Sequence, residues 1–305
     1  MSFAPFAGVD SVSLQQAQVV VMPVPYGATL CYGTGAARGP EAIVAASMQM
    51  EWFDEELLWD LSAVAIHTTE PLEVDLSGPE AMIRAIQHRA QQYGAHGGWL
   101  IALGGEHSIT TGLVRARQSM SPEPFSLLQI DAHADLRDSY QGTPWSHACV
   151  MRRIFDLAIP CVRVGIRSLS HEEWQFVDQQ RLHDSFFWAH QIVPASREGR
   201  YDWIDRVVEQ LLPSVYITID LDGLDPSVVP AVGTPEPGGL DYYTLLRLLR
   251  QVFRSRHVVG CDITELSPIA GQPASDFLAA KLVHKLMGYQ YFGVVPVDLY
   301  ERNGP

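Results

Sequence analysis

Three short stretches of the chain supply His and Asp between them, and a fourth supplies a glutamate. The first three are Gly104-Gly105-Glu106-His107-Ser108, Asp131-Ala132-His133-Ala134-Asp135 and Asp220-Leu221-Asp222-Gly223-Leu224-Asp225. The fourth is Thr264-Glu265-Leu266-Ser267-Pro268. Carboxylate oxygens with a minority of imidazoles form a donor set suited to Mn2+ or a similar divalent ion, and the lack of cysteine argues against structural zinc. The six candidate ligands His107, Asp131, His133, Asp135, Asp220 and Asp222 exceed what one ion takes from a protein. Four aspartates in one cleft would also repel one another unless cations neutralised them. Two ions about 3.5–4 Å apart would answer both difficulties and hold a hydroxide between them. Each piece alone has an ordinary reading. A lone histidine after a strand is commonly a hydrogen-bonded structural residue, and an Asp-x-Asp pair is commonly a turn or a helix cap. Their coincidence is what points to chemistry.

The elements that must position these groups are legible as short apolar runs ending abruptly in polar residues or glycine. They are Val19–Val24, Val64–Ile66, Trp99–Leu103, Ser126–Ile130, Cys161–Val164, Phe186–Trp188, Val215–Ile219 and Val258–Ile263. Runs without alternation suit strands buried on both faces, as in a parallel sheet. Amphipathic stretches at Glu80–Tyr93, Trp203–Leu212, Tyr242–Phe253 and Ala274–Met287 lie between or after them. The pattern predicts a three-layer αβα sandwich around a mostly parallel sheet of about eight strands. No long Pro/Gly/Ser-rich linker divides it, so residues 1–305 are expected to form one domain. In such sheets ligands bind beyond the carboxyl ends of the strands. Each of the four stretches follows one of the apolar runs directly.

Single-motif alternatives fare worse. Ile217–Asp225 is similar to the nucleophile segment of haloacid-dehalogenase-type phosphatases, but that segment normally lies near the N-terminus and needs partners further on. As a calcium loop the same stretch would carry Ala231 where the bidentate glutamate belongs. Gly33–Gly39 misses the dinucleotide fingerprint because its third glycine comes one residue late.

In this order, the strings GGEHS, DAHAD, TIDLDGLDP and DITELSP resemble the ureohydrolase family of arginases, agmatinases and related guanidino-compound hydrolases, most closely bacterial and archaeal agmatinases. The likeness runs from GTGAARGPEAI near residue 40 through GTPEPGGL to the final helix. It implies the arginase/deacetylase-like αβα fold, two Mn2+ per subunit and a homotrimer or homohexamer. It also implies that His107, Asp131, Asp135 and Asp220 bind one ion and that Asp131, His133, Asp220 and Asp222 bind the other. By the same likeness His147 shuttles protons and Glu265 pairs with the substrate guanidinium. Glu106, Thr218 and Ala148 stand where Asp, Ser and Gly are common.

A guanidinium carbon is a poor electrophile, so its hydrolysis needs hydroxide at neutral pH, which two metal ions supply. Asp135 would orient that nucleophile, and His147 would exchange protons with solvent. The loop Leu136–Ser146 lacks the polar pattern with which arginases select an α-amino acid, favouring agmatine or aminopropylagmatine. Asp138 and Glu236 are then candidates to contact the distal amine. Guanidinobutyrate, guanidinopropionate or guanidine are the nearest alternatives, with Arg137 keeping a carboxylate substrate open. A non-catalytic polyamine-binding or partner-binding relative is the alternative from another class, and the intact ligand set argues against it.

The composition agrees. A net charge of −14 disfavours nucleic acid and anionic membrane as partners and suits a small cationic ligand. Cys31, Cys149, Cys161 and Cys261 form no C-x-x-C pair, and the N-terminal residues do not read as a signal peptide, so a cytoplasmic protein is expected.

Overall fold

A computed structural model of the chain describes residues 3–293. Ten strands are present among them: β1 (Val19–Val24), β2 (Phe53–Asp54), β3 (Trp59–Asp60), β4 (Ile66–Thr68), β5 (Trp99–Gly104), β6 (Ser126–Ile130), β7 (Cys161–Val164), β8 (Phe186–Phe187), β9 (Ser214–Asp220) and β10 (His257–Thr264). β2 and β3 form a small antiparallel hairpin. The other eight make one sheet in the order β4-β1-β5-β10-β9-β6-β7-β8, and every pairing in it is parallel. The expected "mostly parallel" sheet is therefore wholly parallel.

Among the described residues nine α-helices accompany the strands: α1 (Gly39–Ser47), α2 (Pro79–Gly94), α3 (Ile109–Met120), α4 (Val150–Asp156), α5 (His171–Gln179), α6 (Ala189–Arg197), α7 (Asp202–Gln210), α8 (Tyr242–Ser255) and α9 (Ala274–Phe292). Two apolar cores separate them. One packs Ile43, Ile192, Val207, Leu248 and Leu282, so it places α1, α6, α7, α8 and α9 on one face. The other packs Met82, Leu113, Met151 and Val177 from α2, α3, α4 and α5 on the opposite face. Alternation within the strands feeds both. In β9, Val215, Ile217 and Ile219 enter the first core and Tyr216 enters the second. This is why the central strands read as unbroken apolar runs.

The expected strand at Val64–Ile66 starts two residues late. Leu61–Ala63 forms a 3-10 turn capped by Asp60, whose side chain accepts the Ser62 N–H, and the chain becomes β4 only at Ile66. Both sheet edges are short, with three residues in β4 and two in β8. The long strands β5, β10, β9 and β6 are adjacent at the centre, and their carboxyl ends deliver all four of the polar stretches.

Candidate metal centre and substrate pocket

Just beyond β5, β10, β9 and β6 lies a cavity of about 250 Å³, lined among others by His107, Asp135, Asp220, Asp222, His147 and Glu265. The D-x-H-x-D turn folds back over the end of β6 so that its polar groups point inward. His107 Nδ1 lies 3.1 Å from Asp131 Oδ2, 3.0 Å from Asp135 Oδ2 and 3.5 Å from Asp220 Oδ2. His133 Nδ1 lies 2.9 Å from Asp222 Oδ2 and 3.8 Å from Asp131 Oδ1. Two donor groups result, His107–Asp131–Asp220 and Asp131–His133–Asp222, each with its ligand atoms within 4.8 Å of one another. Asp131 belongs to both and turns one oxygen toward each histidine. Asp135 reaches the first group through His107. Asp220 is placed with the first group.

The surrounding chain holds these carboxylates in place. Asp131 Oδ1 accepts the His133 N–H at 2.6 Å, and Asp131 Oδ2 accepts Gln129 Nε2 at 2.7 Å. Asp222 Oδ1 accepts the Ala132 N–H at 3.0 Å, and Asp220 Oδ1 accepts the Asp222 N–H at 2.9 Å. Gly223 lets the two loops meet, since a Cβ there would sit 2.8 Å from the Asp131 backbone nitrogen. Behind His107, its Nε2 faces Thr218 Oγ1 at 2.9 Å, and that hydroxyl donates to Asp262 Oδ1 at 2.7 Å. Asp262 is fully buried and also accepts from Thr110 and Tyr216. The Thr218 proton is thus committed to Asp262 and His107 Nε2 carries a hydrogen, so Nδ1, which faces the aspartates, is the nitrogen that would ligate a cation set among them.

The electrostatics are those of a site built for cations. Burial, reinforced by the charges of Asp135 and Asp222, pushes the Asp131 carboxyl up to about 7. Burial and the neighbouring Asp222 and Asp131 raise Asp220 well above the carboxylate range. Burial works against charging His133, yet Asp222, Asp131 and Asp135 together lift it to about 10. Glu265 is pushed up to about 8 by burial and by the Glu106 charge, although its Oε1 accepts the His107 N–H at 2.7 Å. Protons stand in for the positive charge that divalent ions would bring. The backbone is committed as well: Asp135 and Glu265 both occupy the left-handed region, at φ 52° and 66°. The Asp135 carbonyl accepts the Met151 and Arg152 N–H groups at the start of α4, which holds that conformation.

With this donor geometry in place, the sequence comparisons are decisive: residues 17–288 match the arginase family. The chain belongs to the arginase family. It is 43% identical over 274 residues to the N(1)-aminopropylagmatine ureohydrolase of Thermus thermophilus, covering 90% of each chain. It is 41% identical over 283 residues to the corresponding protein of Synechocystis sp., covering 91% of this chain and 90% of that one. Among solved structures, the agmatine ureohydrolase of Thermoplasma volcanium superposes with a TM-score of 0.82 at 32% identity, covering 95% of this chain and 94% of that one.

Within this arginase-family pocket, the sequence-derived candidates are not all gathered. His147 lines the cavity with Arg137 and Tyr140, its ring edge-on to Tyr140 at 5.8 Å. Asp138 does not join them. Arg153 holds its carboxylate at 2.8 Å on the outer side of the loop, and its side chain is 63% exposed. Glu236 also lies outside the lining, with Oε1 3.8 Å from the outer nitrogen of His133. Neither is among the residues that line the cavity, although Glu236 stands beside His133, which is. Asp225 braces its loop as its setting before Pro226 suggests, accepting Ser227, Gly238 and Gly239 N–H groups. Cys149 and Cys261 are buried, and burial raises both thiols.

Three groups went unread in the sequence. Arg167 lies beneath the loop between residues 222 and 237 and donates to the carbonyls of Asp222, Leu224 and Glu236 at 2.6, 3.2 and 2.7 Å. Glu173 lines the cavity while accepting the Leu136 and Ser170 N–H groups. Thr29, after β1, is hydrogen-bonded to both Glu106 and His147. Only Glu106, a longer acid where Asp is common, hinted at the last of these.

Proposed function

We propose that the protein hydrolyses the guanidino group of agmatine or N1-aminopropylagmatine, releasing urea and the corresponding amine. The observation that carries this reading is the pair of His/Asp donor groups sharing Asp131, set in one cavity with buried Glu265. The donor set, all carboxylate and imidazole, fits two divalent ions, and Mn2+ is the identity we infer. His107, Asp131, Asp135, Asp220, His133 and Asp222 would hold the ions, which when bound would lower the pKa of a water enough to supply a nucleophile at neutral pH.

The chain's own residues do the rest. A guanidinium beside Glu265 supplies the cation that its buried carboxylate lacks, and it fixes the central carbon toward the aspartates, a positioning effect. Asp135 accepts a hydrogen bond from the attacking water, takes its proton and releases it to solvent as urea departs, which matches the solvent proton that His147 delivers. An amine leaves only when protonated, and His147 exchanges that proton between solvent and the departing nitrogen.

The preference for an agmatine-type substrate rests on the acidic cavity wall and on the names carried by the relatives at 41% and 43% identity. Arg137 favours the second reading, a carboxylate substrate such as guanidinobutyrate. Its Nε lies 3.9 Å from Glu173, however, and its guanidinium rests over the Tyr140 ring at 5.2 Å. That partial neutralisation weakens its pull on a carboxylate. We also infer one domain over residues 1–305, a cytoplasmic setting and a trimeric or hexameric assembly, which light scattering would measure. Among the described residues no helix is long and apolar enough to cross a membrane.

The test is direct. The protein is dialysed against chelator, restored with Mn2+ and assayed for urea from agmatine, aminopropylagmatine, arginine, guanidinobutyrate, guanidinopropionate and guanidine. We expect metal-dependent urea release, highest with the first two. No urea from any of them refutes the proposal, and a guanidinobutyrate preference selects the second reading.

A further inference from the structure

We propose that Thr29, held by Glu106, is a positioning residue that fixes which ring nitrogen of His147 carries the proton and leaves Nε2 unprotonated toward the cavity. The inference rests on the reading of His147 as the group that moves protons in this site.

The argument is one of hydrogen-bond polarity. Glu106 is fully buried, and three donors converge on it. Its Oε2 accepts the Thr29 N–H at 2.6 Å, and its Oε1 accepts the Thr29 hydroxyl at 2.7 Å and the Ser108 hydroxyl at 2.5 Å. A carboxylate only accepts, so the single hydroxyl proton of Thr29 is committed to Glu106. What Thr29 can offer elsewhere is lone pairs. Two nitrogens of His147 meet that oxygen, the backbone N and ring Nδ1, each at 3.1 Å. A bare Nδ1 would set lone pair against lone pair in a half-buried site, so Nδ1 carries its hydrogen. Ser146 Oγ lies further from Nδ1, at 3.3 Å, and could serve either protonation state.

A neutral imidazole has one N–H, so Nε2 is the acceptor. It lies 3.7 Å from Cys31 Sγ, and both His147 and Cys31 line the cavity. The cycle then balances. Nε2 takes a proton from the solvent side, giving an imidazolium with Nδ1–H still on Thr29. It passes that proton to the departing amine nitrogen and returns to the starting tautomer. Thr29 touches neither substrate nor reacting atoms, and its effect is to keep the proton-moving nitrogen on the correct side of the ring.

The test compares Thr29→Val, which keeps the shape and loses the hydroxyl, with Thr29→Ser, which keeps it. Protein labelled with [15N]histidine is loaded with Mg2+, which unlike Mn2+ does not broaden the resonances. The His147 signals are those missing from a His147→Asn spectrum. We expect wild type and Thr29→Ser to show a protonated Nδ1 and a bare Nε2. In Thr29→Val, Ser146 is free to donate to a bare Nδ1, so the N–H moves wholly or partly to Nε2. With Mn2+, kcat of Thr29→Val should fall about tenfold or more with KM within about twofold, and Thr29→Ser should recover most of the loss. A bare Nδ1 in the wild type overturns the proposal, as does a Thr29→Val protein with unchanged tautomer and unchanged kcat. If the wild type releases no urea from any guanidino compound, the functional reading fails while the nitrogen shifts still decide the tautomer. If Thr29→Val does not fold, the wild-type spectrum decides alone.

Discussion

Thr218 is a sharp place to perturb the metal centre without touching a ligand. Its hydroxyl stands between His107 Nε2 at 2.9 Å and Asp262 Oδ1 at 2.7 Å, and all three residues are buried. Thr218→Val keeps the volume and strands the His107 N–H with no acceptor. Asp262 is less affected, because Thr110 still donates to Oδ1 at 3.0 Å and Tyr216 to Oδ2 at 2.8 Å. The unpaired N–H and the lost hydroxyl together cost about 2–3 kcal/mol. The unfolding entropy of a chain this long is roughly 0.6 kcal/mol/K, so the chelated protein should lose about 3–5 °C in Tm. Without its outer hydrogen bond His107 is free to rotate, and Mn2+ affinity should fall by about 10–100-fold. Thr218→Ser provides the control. It loses a buried methyl, worth about 1 kcal/mol, but keeps the hydroxyl and therefore the affinity. Calorimetry gives the first quantity and competition with a fluorescent chelator the second. A Thr218→Val protein that binds Mn2+ as tightly as wild type would refute the claim that this hydroxyl holds His107.

The chelated protein should become less stable as pH rises from about 6.5 to 9. Asp131 and Glu265, raised to about 7 and 8, and His133, raised to about 10, all contribute stability present below their unfolded pKa values and lost as pH passes through the folded ones. Mn2+ should therefore raise Tm more at pH 8.5 than at pH 6.5, and an equal rise at both would contradict the account. Gly223→Ala would push a methyl against Asp131 backbone at 2.8 Å, where nothing can yield cheaply. It should cost about 1–3 kcal/mol in denaturant titrations and lower Mn2+-dependent urea release more than tenfold. Asp138→Asn should leave KM for agmatine unchanged and remove only the pairings of this exposed carboxylate with Arg152 and Arg153, so a raised KM would restore Asp138 to the substrate contacts.

Much of this was legible in the chain because the central strands are buried on both faces. Continuous apolar runs ending in polar residues or glycine located the carboxyl ends of β5, β6, β9 and β10 almost to the residue, and the strand-end rule then brought the candidate ligands to one sheet edge. What stayed hidden depends on contacts between distant segments. Asp138 reads as an acid near the pocket, but whether it faces in or out is settled by Arg153 on the first turns of α4. Thr29 sits in an unpatterned loop, and its partners Glu106 and His147 are 77 and 118 residues away. β4 begins later than its apolar run for a local reason, the Asp60 cap that turns Leu61–Ala63 before the strand.

Asp135 and Glu265 stand on left-handed backbone, a conformation that costs a side-chain-bearing residue about 1 kcal/mol or more and costs glycine nothing. Heat tolerance and turnover therefore pull in opposite directions at these two positions. A laboratory selection that rewards only survival at high temperature should accept glycine at 135 and 265 early, and the survivors would be sturdy and inert. Asparagine at 135 would be the compromise, since it tolerates the same backbone while keeping one oxygen near His107. Any effort to harden this protein for use as a biocatalyst should hold both positions fixed from the outset.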